Sequence, residues 1–193
     1  MKTRESGMPE EKVWDSFFQP DEILEQLGLR IGVGNVAEFG CGYGTFAIPA
    51  ARRSRGTVYA YDIEPQMVAA TDQRAASAAM ANVTAVVRDF MAVGTGLPTA
   101  SVEYAMLFNI LHAEEPGVLL AEARRILIPD GLLGIIHWNC DPATPRGPSM
   151  RIRPRAEQCR DWAIDAGFRL RQPGIVDLPP YHFGMSLEKP TRT

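Results

Sequence analysis

The segment Val36-Ala37-Glu38-Phe39-Gly40-Cys41-Gly42-Tyr43-Gly44 runs from a short apolar strand into a glycine-rich turn, and residues 45–53 read as the helix behind it. Glycine lets a backbone turn sharply and come close to a ligand where a Cβ would clash. The first turn of the helix that follows carries N–H groups without intrahelical partners. A plain tight turn would use the same glycines, and dinucleotide enzymes use a related loop. Asp62 ends the next strand, 22 residues after Gly40. An acid at that spacing can accept hydrogen bonds from two ribose hydroxyls, although Asp62 also suits a helix cap ahead of Pro65. Asp89 closes a third strand in Arg88-Asp89-Phe90, where a carboxylate can accept from an adenine amino group or simply stabilise a turn. Asn109 closes a fourth in Leu107-Phe108-Asn109-Ile110-Leu111-His112. These polar groups at the C-terminal ends of successive strands converge on the edge where open α/β sheets bind ligands. His112, just past the fourth strand, is the candidate general base, since an imidazole of unperturbed pKa ~6.5 exchanges protons near neutrality. A helix-start role would place a histidine there equally well. His137 reads as the polar end of a fifth strand and His182 as part of a closing hairpin.

Positioning these groups requires alternating strands and helices. Strands are expected over 36–39, 57–61, 83–87, 102–108 and 132–137, rich in β-branched and aromatic residues. Pro65 opens an alanine-rich helix to about Met80, and Pro116 opens one to about Leu127, ended by the turn Pro129-Asp130-Gly131. Residues 139–154 hold four prolines and form a loop, followed by a helix over 155–166. A sixth strand begins at 168–170 and resumes at 175–178, and a seventh covers 182–188. Too few residues separate these last two for a parallel crossover, so they close the sheet as an antiparallel pair. Ahead of all this, residues 1–30 form a helical lead-in to a main domain over 31–193. Trp14, Phe17 and Phe18 share one face, Pro20 interrupts, Asp21 caps a helix over 22–27, and Gly28 stops it. The aromatic trio packs the lead-in, with a lid over the ligand as a compatible second role.

Composition narrows the field. The 193 residues, 46% of them apolar and 22% charged, suit one ordinary globular domain. A net charge of −3 gives no attraction for phosphate backbones, so nucleic acid is not expected as a partner. No apolar run reaches the ~20 residues of a spanning helix, so no membrane association is expected. The stretch MKTRESGMPEEK lacks the apolar core of a secretory signal, which points to the cytoplasm. Cys41, Cys140 and Cys159 are too few for a disulfide framework and, like the three histidines, do not fall at zinc-ligand spacing.

Taken together the motifs resemble the class I S-adenosylmethionine-dependent methyltransferases, near the small-molecule branch that includes ubiquinone- and menaquinone-type C-methyltransferases. That family's first motif is an acid, any residue, then Gly-x-Gly-x-Gly, matched by Glu38 to Gly44. Asp62-Ile63 matches its acid at the end of strand two, and Asp89-Phe90 its Asp at the end of strand three. Residues 122–133 resemble its later helix, turn and strand. The resemblance implies a three-layer Rossmann-like α/β sandwich whose seven-stranded, mostly parallel sheet has the order 3-2-1-4-5-7-6 with strand seven antiparallel. It implies S-adenosyl-L-methionine as cofactor, with the backbone of Gly40, Cys41 and Gly42 along the methionine portion and Glu38 near its amino group. Asp62 would hold the ribose, Ile63 would pack on the adenine, and Asp89 with the Phe90 backbone would read the adenine edge. Asn109 would sit at the methionine end, facing a small-molecule acceptor.

In such chemistry the cofactor's sulfonium makes the methyl group electrophilic, and the protein aligns a nucleophile behind the carbon–sulfur bond. Alternatives remain at this stage. A nicotinamide oxidoreductase needs Gly-x-Gly-x-x-Gly, which would put glycine at position 45, where the chain has Thr45. A domain that binds the cofactor without catalysis would keep the same motifs. Asp177-Leu178-Pro179-Pro180-Tyr181 superficially resembles an amino-methylation signature but carries an extra leucine and follows the wrong strand. Arg146, Arg151, Arg153 and Arg155, after strand five, would favour an anionic acceptor or form a solvated loop. The short chain leaves room for a shallow acceptor site, or for one completed by a second subunit in a homodimer.

Overall fold

Alternation of apolar residues along the strands divides the sheet into two buried faces, and the computed structural model, which describes residues 9–191, shows what covers each. The lead-in comprises α1 (Glu11–Asp15) and α2 (Pro20–Gln26). The main domain follows as β1 (Val36–Phe39), α3 (Ala47–Arg53), β2 (Val58–Asp62), α4 (Pro65–Ser77), β3 (Val83–Val87), α5 (Phe90–Val93) and β4 (Val102–Phe108). It continues through α6 (Pro116–Ile126), β5 (Leu127–Trp138), α7 (Ala156–Asp165), β6 (Arg169–Leu178) and β7 (His182–Glu188). The sheet order is β3-β2-β1-β4-β5-β7-β6, as the resemblance implies. β7 runs antiparallel to both neighbours, and the other pairings are parallel. Strand order therefore reverses between β1 and β4, which makes their C-terminal ends the topological switch point. Because β7 is antiparallel, its first residue, His182, pairs with Trp138 and lies on that same edge.

One face buries Ala37, Phe39, Ala105, Leu107, Leu133 and Ile135 against α6 and α7. The other buries Val36, Ala60, Met106, Phe108, Ile136 and Trp138 against the lead-in and α3. Lead-in helices this short are marginal alone. Their aromatic residues supply the missing stability: Trp14, Phe17 and Phe18 are all buried. Trp14 meets Phe18 edge-on at 5.0 Å, and Phe17 meets Trp138 at 5.5 Å. Asp15 ties α1 down by accepting from Thr45 Oγ1 at 2.7 Å and pairing with Arg74 of α4 at 2.9 Å.

Several boundaries differ from expectation. Pro20 does not interrupt the lead-in but opens α2 as its first residue, with Gln19 in the cap position in place of Asp21. Residues 42–46 are turn and not helix, because Gly42 and Gly44 adopt φ of +53° and +74°, values an α-helix excludes. β5 starts at Leu127, and Pro129-Asp130-Gly131 sits inside it as a bulge, with Tyr104 paired to Leu132 after Val102 is paired to Leu127. The bulge is held across to the end of β7 by Asp130 N–H to Lys189 O and Lys189 N–H to Gly131 O. β6 is one element whose register shifts between Leu170 and Ile175. The short α5 was not expected, since four residues carry no periodicity. Residues 1–8 of the leader-free N-terminal stretch lie outside the described residues. No helix among the described residues is long and apolar enough to cross a membrane.

Candidate active site

At the glycine turn, the amides of Gly40 and Cys41 both donate to Tyr61 O at 2.8 Å, which anchors the end of β1 to β2. Gly42 N–H donates to Asp62 Oδ2 at 3.0 Å, and Glu64 N–H donates to Oδ1 at 3.0 Å. Thr71 of α4 donates its hydroxyl to Gly42 O at 3.0 Å. The loop's own amides at 40–42 are thus spent inside the protein, and what this stretch offers a ligand is carbonyl and Cα surface. Gly44 answers a packing need, since a Cβ there would lie 3.1 Å from Thr71 Oγ1. Gly40, at φ +80°, faces the loop after β4: a Cβ would meet Ile110 Cδ1 at 3.0 Å. The two loops of the switch point therefore touch.

Two polar side chains at this junction have buried atoms with no partner among the described residues. Glu38 on β1 is 2% exposed, and its Oε2 is unsatisfied. Burial, reinforced by the nearby Asp62 charge, holds its carboxyl well above the usual carboxylate range. Asn109, at φ +57°, leaves both Oδ1 and Nδ2 unsatisfied while its backbone N–H donates to Ile136 O at 2.7 Å. Left-handed backbone is tolerated by Asn better than by most residues. An unmet buried polar group costs ~1–3 kcal/mol, so two on adjacent strand ends mark a place built to be completed. Asp62 is also raised by burial, with the backbone N–H groups of Glu64, Gly42 and Ile63 pulling it back.

Residues 36–131, from the first residue of β1 into β5, match a family model described as a methyltransferase domain. The chain belongs to the methyltransferases. Its fold is similar to that of a SAM-dependent methyltransferase from Aquifex aeolicus, at 23% identity and TM-score 0.80, covering 93% of this chain and 94% of that one. It is also similar to a protein from Sulfolobus solfataricus assigned as a type 11 methyltransferase (22% identity, TM-score 0.70, 91% and 95% covered). The [4+2]-cyclase SpnF shares the fold as well, at 18% identity and TM-score 0.76, over 98% of this chain and 85% of that one. No curated protein matches the chain. The methyl donor of the family is S-adenosylmethionine, which is therefore the cofactor of this protein.

The methyltransferase brings most of its sequence-predicted residues to one edge and divides their work. Asp89 caps α5, accepting from Ala92 N–H at 3.0 Å, and Phe90 is a core side chain set edge-on to Phe39 at 5.4 Å. Ile63 is half-buried beside Asp62. The Cys41 thiol packs in the core, where burial pushes its pKa up, so only its backbone borders the loop. His112 is not open at a substrate mouth: it is 5% exposed, and its Nδ1 lies 3.4 Å from Nε2 of His137. Sequence reasoning set His137 aside as a strand end. The adjacency of β4 and β5 that joins the two rings is a long-range pairing no local pattern encodes. His182 is fully buried between Phe18 (4.5 Å) and Trp138 (4.2 Å), its two ring nitrogens unpartnered among the described residues. Arg153 does not face an acceptor. It stacks over Trp138 at 6.0 Å and donates to the carbonyls of Asn139, Arg146 and Pro148 and to Thr144, closing the loop after β5 on itself. Arg146, Arg151 and Arg155 are exposed. Among the described residues no group of His, Cys, Asp and Glu could hold a metal ion.

Proposed function

We propose that this methyltransferase transfers the methyl group of S-adenosylmethionine to a small-molecule acceptor, with the cofactor seated across the ends of β1, β2, β3 and β4. The observation that carries this reading is the pair of unmet buried groups, Glu38 and Asn109, beside the glycine turn at the switch point. When bound, the cofactor supplies an electrophilic methyl on a sulfonium whose sulfur takes back the carbon–sulfur electron pair. Glu38 would receive the cationic amino group of its methionine portion, which is the partner a desolvated carboxylate lacks. Asp62, with both oxygens already oriented by backbone N–H groups, would accept from the ribose hydroxyls, since a carboxylate has about four acceptor positions. Ile63 would lie against the adenine, with Asp89 and the Phe90 backbone at its edge. Gly40, Cys41 and Gly42 contribute a backbone close enough to line the chain of the donor. Asn109 would orient the reacting end and His112 would take a proton where the acceptor starts protonated.

A small acceptor agrees with a net charge of −3, which leaves no basic face for a nucleic acid. A second subunit completing the acceptor site is consistent with the short chain. Three free cysteines, two of them buried, fit a reducing cytoplasm. Calorimetric titration with S-adenosylmethionine and S-adenosylhomocysteine, with NADH as control, tests the reading. Micromolar binding of the adenosyl ligands alone is expected. Their failure to bind would leave the glycine turn as a structural element. Binding without methylation of any compound in an acceptor screen would favour a non-catalytic role.

A further inference from the structure

Cofactor binding does not account for the contact between His112 and His137, and its chemistry can be followed atom by atom. Nδ1 of His137 lies 3.4 Å from the carbonyl oxygen of Trp138. A carbonyl only accepts, so Nδ1 is the nitrogen that carries hydrogen. The ring is fully buried and stacks on Phe183 at 6.2 Å, an apolar setting that disfavours a second proton. The other groups facing it act in the same direction: His112 from the loop after β4, His182 from β7 and Arg153 from the loop after β5. A neutral ring with hydrogen on Nδ1 has a lone pair on Nε2, the atom 3.4 Å from Nδ1 of His112. That contact is a hydrogen bond only if His112 donates, so His112 carries hydrogen on Nδ1 and its Nε2 is the proton-accepting nitrogen.

We propose that His137 is a positioning residue that fixes the tautomer of His112, so that a backbone carbonyl on β5 determines which nitrogen serves as base in methyl transfer. The inference rests on the methyltransferase reading above. The proton displaced from the acceptor, as it forms its bond to the methyl carbon and the donor's sulfur recovers the electron pair, goes to Nε2 of His112. The resulting imidazolium keeps its Nδ1–H bond to His137 Nε2. It loses the proton to solvent after the product leaves, because His137 cannot take it without becoming a buried cation. His137 thus plays the orienting part that a carboxylate plays in hydrolase triads, without adding a negative charge beside a sulfonium donor.

The test is a long-range ¹⁵N–¹H correlation spectrum of the ¹⁵N-labelled full chain at neutral pH, with no ligand added. The chain has three histidines, so His112→Ala and His182→Phe variants complete the assignment. Both His112 and His137 are expected as Nδ1–H tautomers, the opposite of the form free histidine favours. His137→Gln, which keeps an acceptor oxygen, should leave His112 in that form, whereas His137→Phe should convert most of it to Nε2–H. An Nε2–H signal for His112 in the unmodified protein overturns the proposal even if neither variant folds, and so does an unchanged Nδ1–H signal in folded His137→Phe. Adenosyl-ligand binding by calorimetry is measured in parallel. Binding together with the wrong tautomer defeats this inference alone. The expected tautomers without any binding defeat the functional reading, and the catalytic part of the inference with it.

Discussion

Glu38 is buried beside Asp62 with an oxygen unmet, and the two facts have opposite consequences for stability and for binding. Its folded-state pKa lies above the unfolded value of ~4.3. Between those values the folded state binds more protons, so stability falls as pH rises through that window. Glu38→Gln cannot titrate, and the ligand-free variant should melt above the parent at pH 8 with a gap that closes toward pH 4.5. A gap independent of pH would show that Glu38 is not desolvated as described. The same variant should bind S-adenosylmethionine more weakly by at least ~1 kcal/mol, because a charge-assisted bond to the amino group is lost. Asp62 differs in holding structure as well as ligand. Asp62→Ala removes the acceptor for Gly42 and Glu64 N–H, so a loss of ~1–3 kcal/mol in chemical denaturation should accompany weaker cofactor binding. Unchanged affinity in folded Asp62→Ala would refute the ribose role. Gly42→Val is a poor probe of ligand approach here, since a β-branched residue at φ +53° strains the turn by itself.

At the scale of elements, the lead-in and the sheet are joined by a small number of fitted contacts. Tyr104 on β4 donates its hydroxyl to Leu27 O at the end of α2 at 3.0 Å, inside the core. Gly134 on β5 makes room for that phenol, because a Cβ at this glycine would lie 3.0 Å from Tyr104 Cζ and closer still to its hydroxyl. Gly134→Ala should therefore displace the ring, break the bond to α2 and cost ~2 kcal/mol or more, measured by denaturant unfolding. Tyr104→Phe in the Gly134→Ala background should recover part of that loss, since it removes the clashing oxygen. No recovery would locate the damage elsewhere in β5. The loop after β5 is similarly self-contained: Arg153 spends its donors on loop carbonyls and its face on Trp138, placing a rigid wall next to the histidines.

Across the whole molecule, acid stability is governed by groups buried without charge. Burial, helped by Arg153, pushes the His182 pKa down to about 3, and burial holds His137 well below its ordinary value. Unfolded histidines bind protons below pH ~6.5 while these two do not, so the unfolded state gains protons and stability declines as pH drops through that point. Each contributes a slope of ~1.4 kcal/mol per pH unit until its folded pKa is reached. Glu122, whose carboxyl Arg125 and Thr95 hold down to about 2, adds a further loss below pH ~4.3. His182→Phe keeps the stack between Phe18 and Trp138 and removes one titrating group. Its melting temperature should exceed the parent's by a margin that grows from pH 7 to pH 5, and a constant margin would contradict the assignment. The sequence by itself determined the βα alternation, the strand order through its motif resemblance, and the cofactor residues at strand ends, because each is written in local periodicity and in short spacings. Tertiary structure alone decided that the glycine turn continues to residue 46 and that Glu38 and Asn109 are left unsatisfied. It alone also decided that His112 meets His137 and that Arg153 closes a loop. These depend on parallel pairing between β4 and β5 and on the reversal of β7, contacts between residues far apart in the chain, where burial and partner geometry are set by the whole sheet.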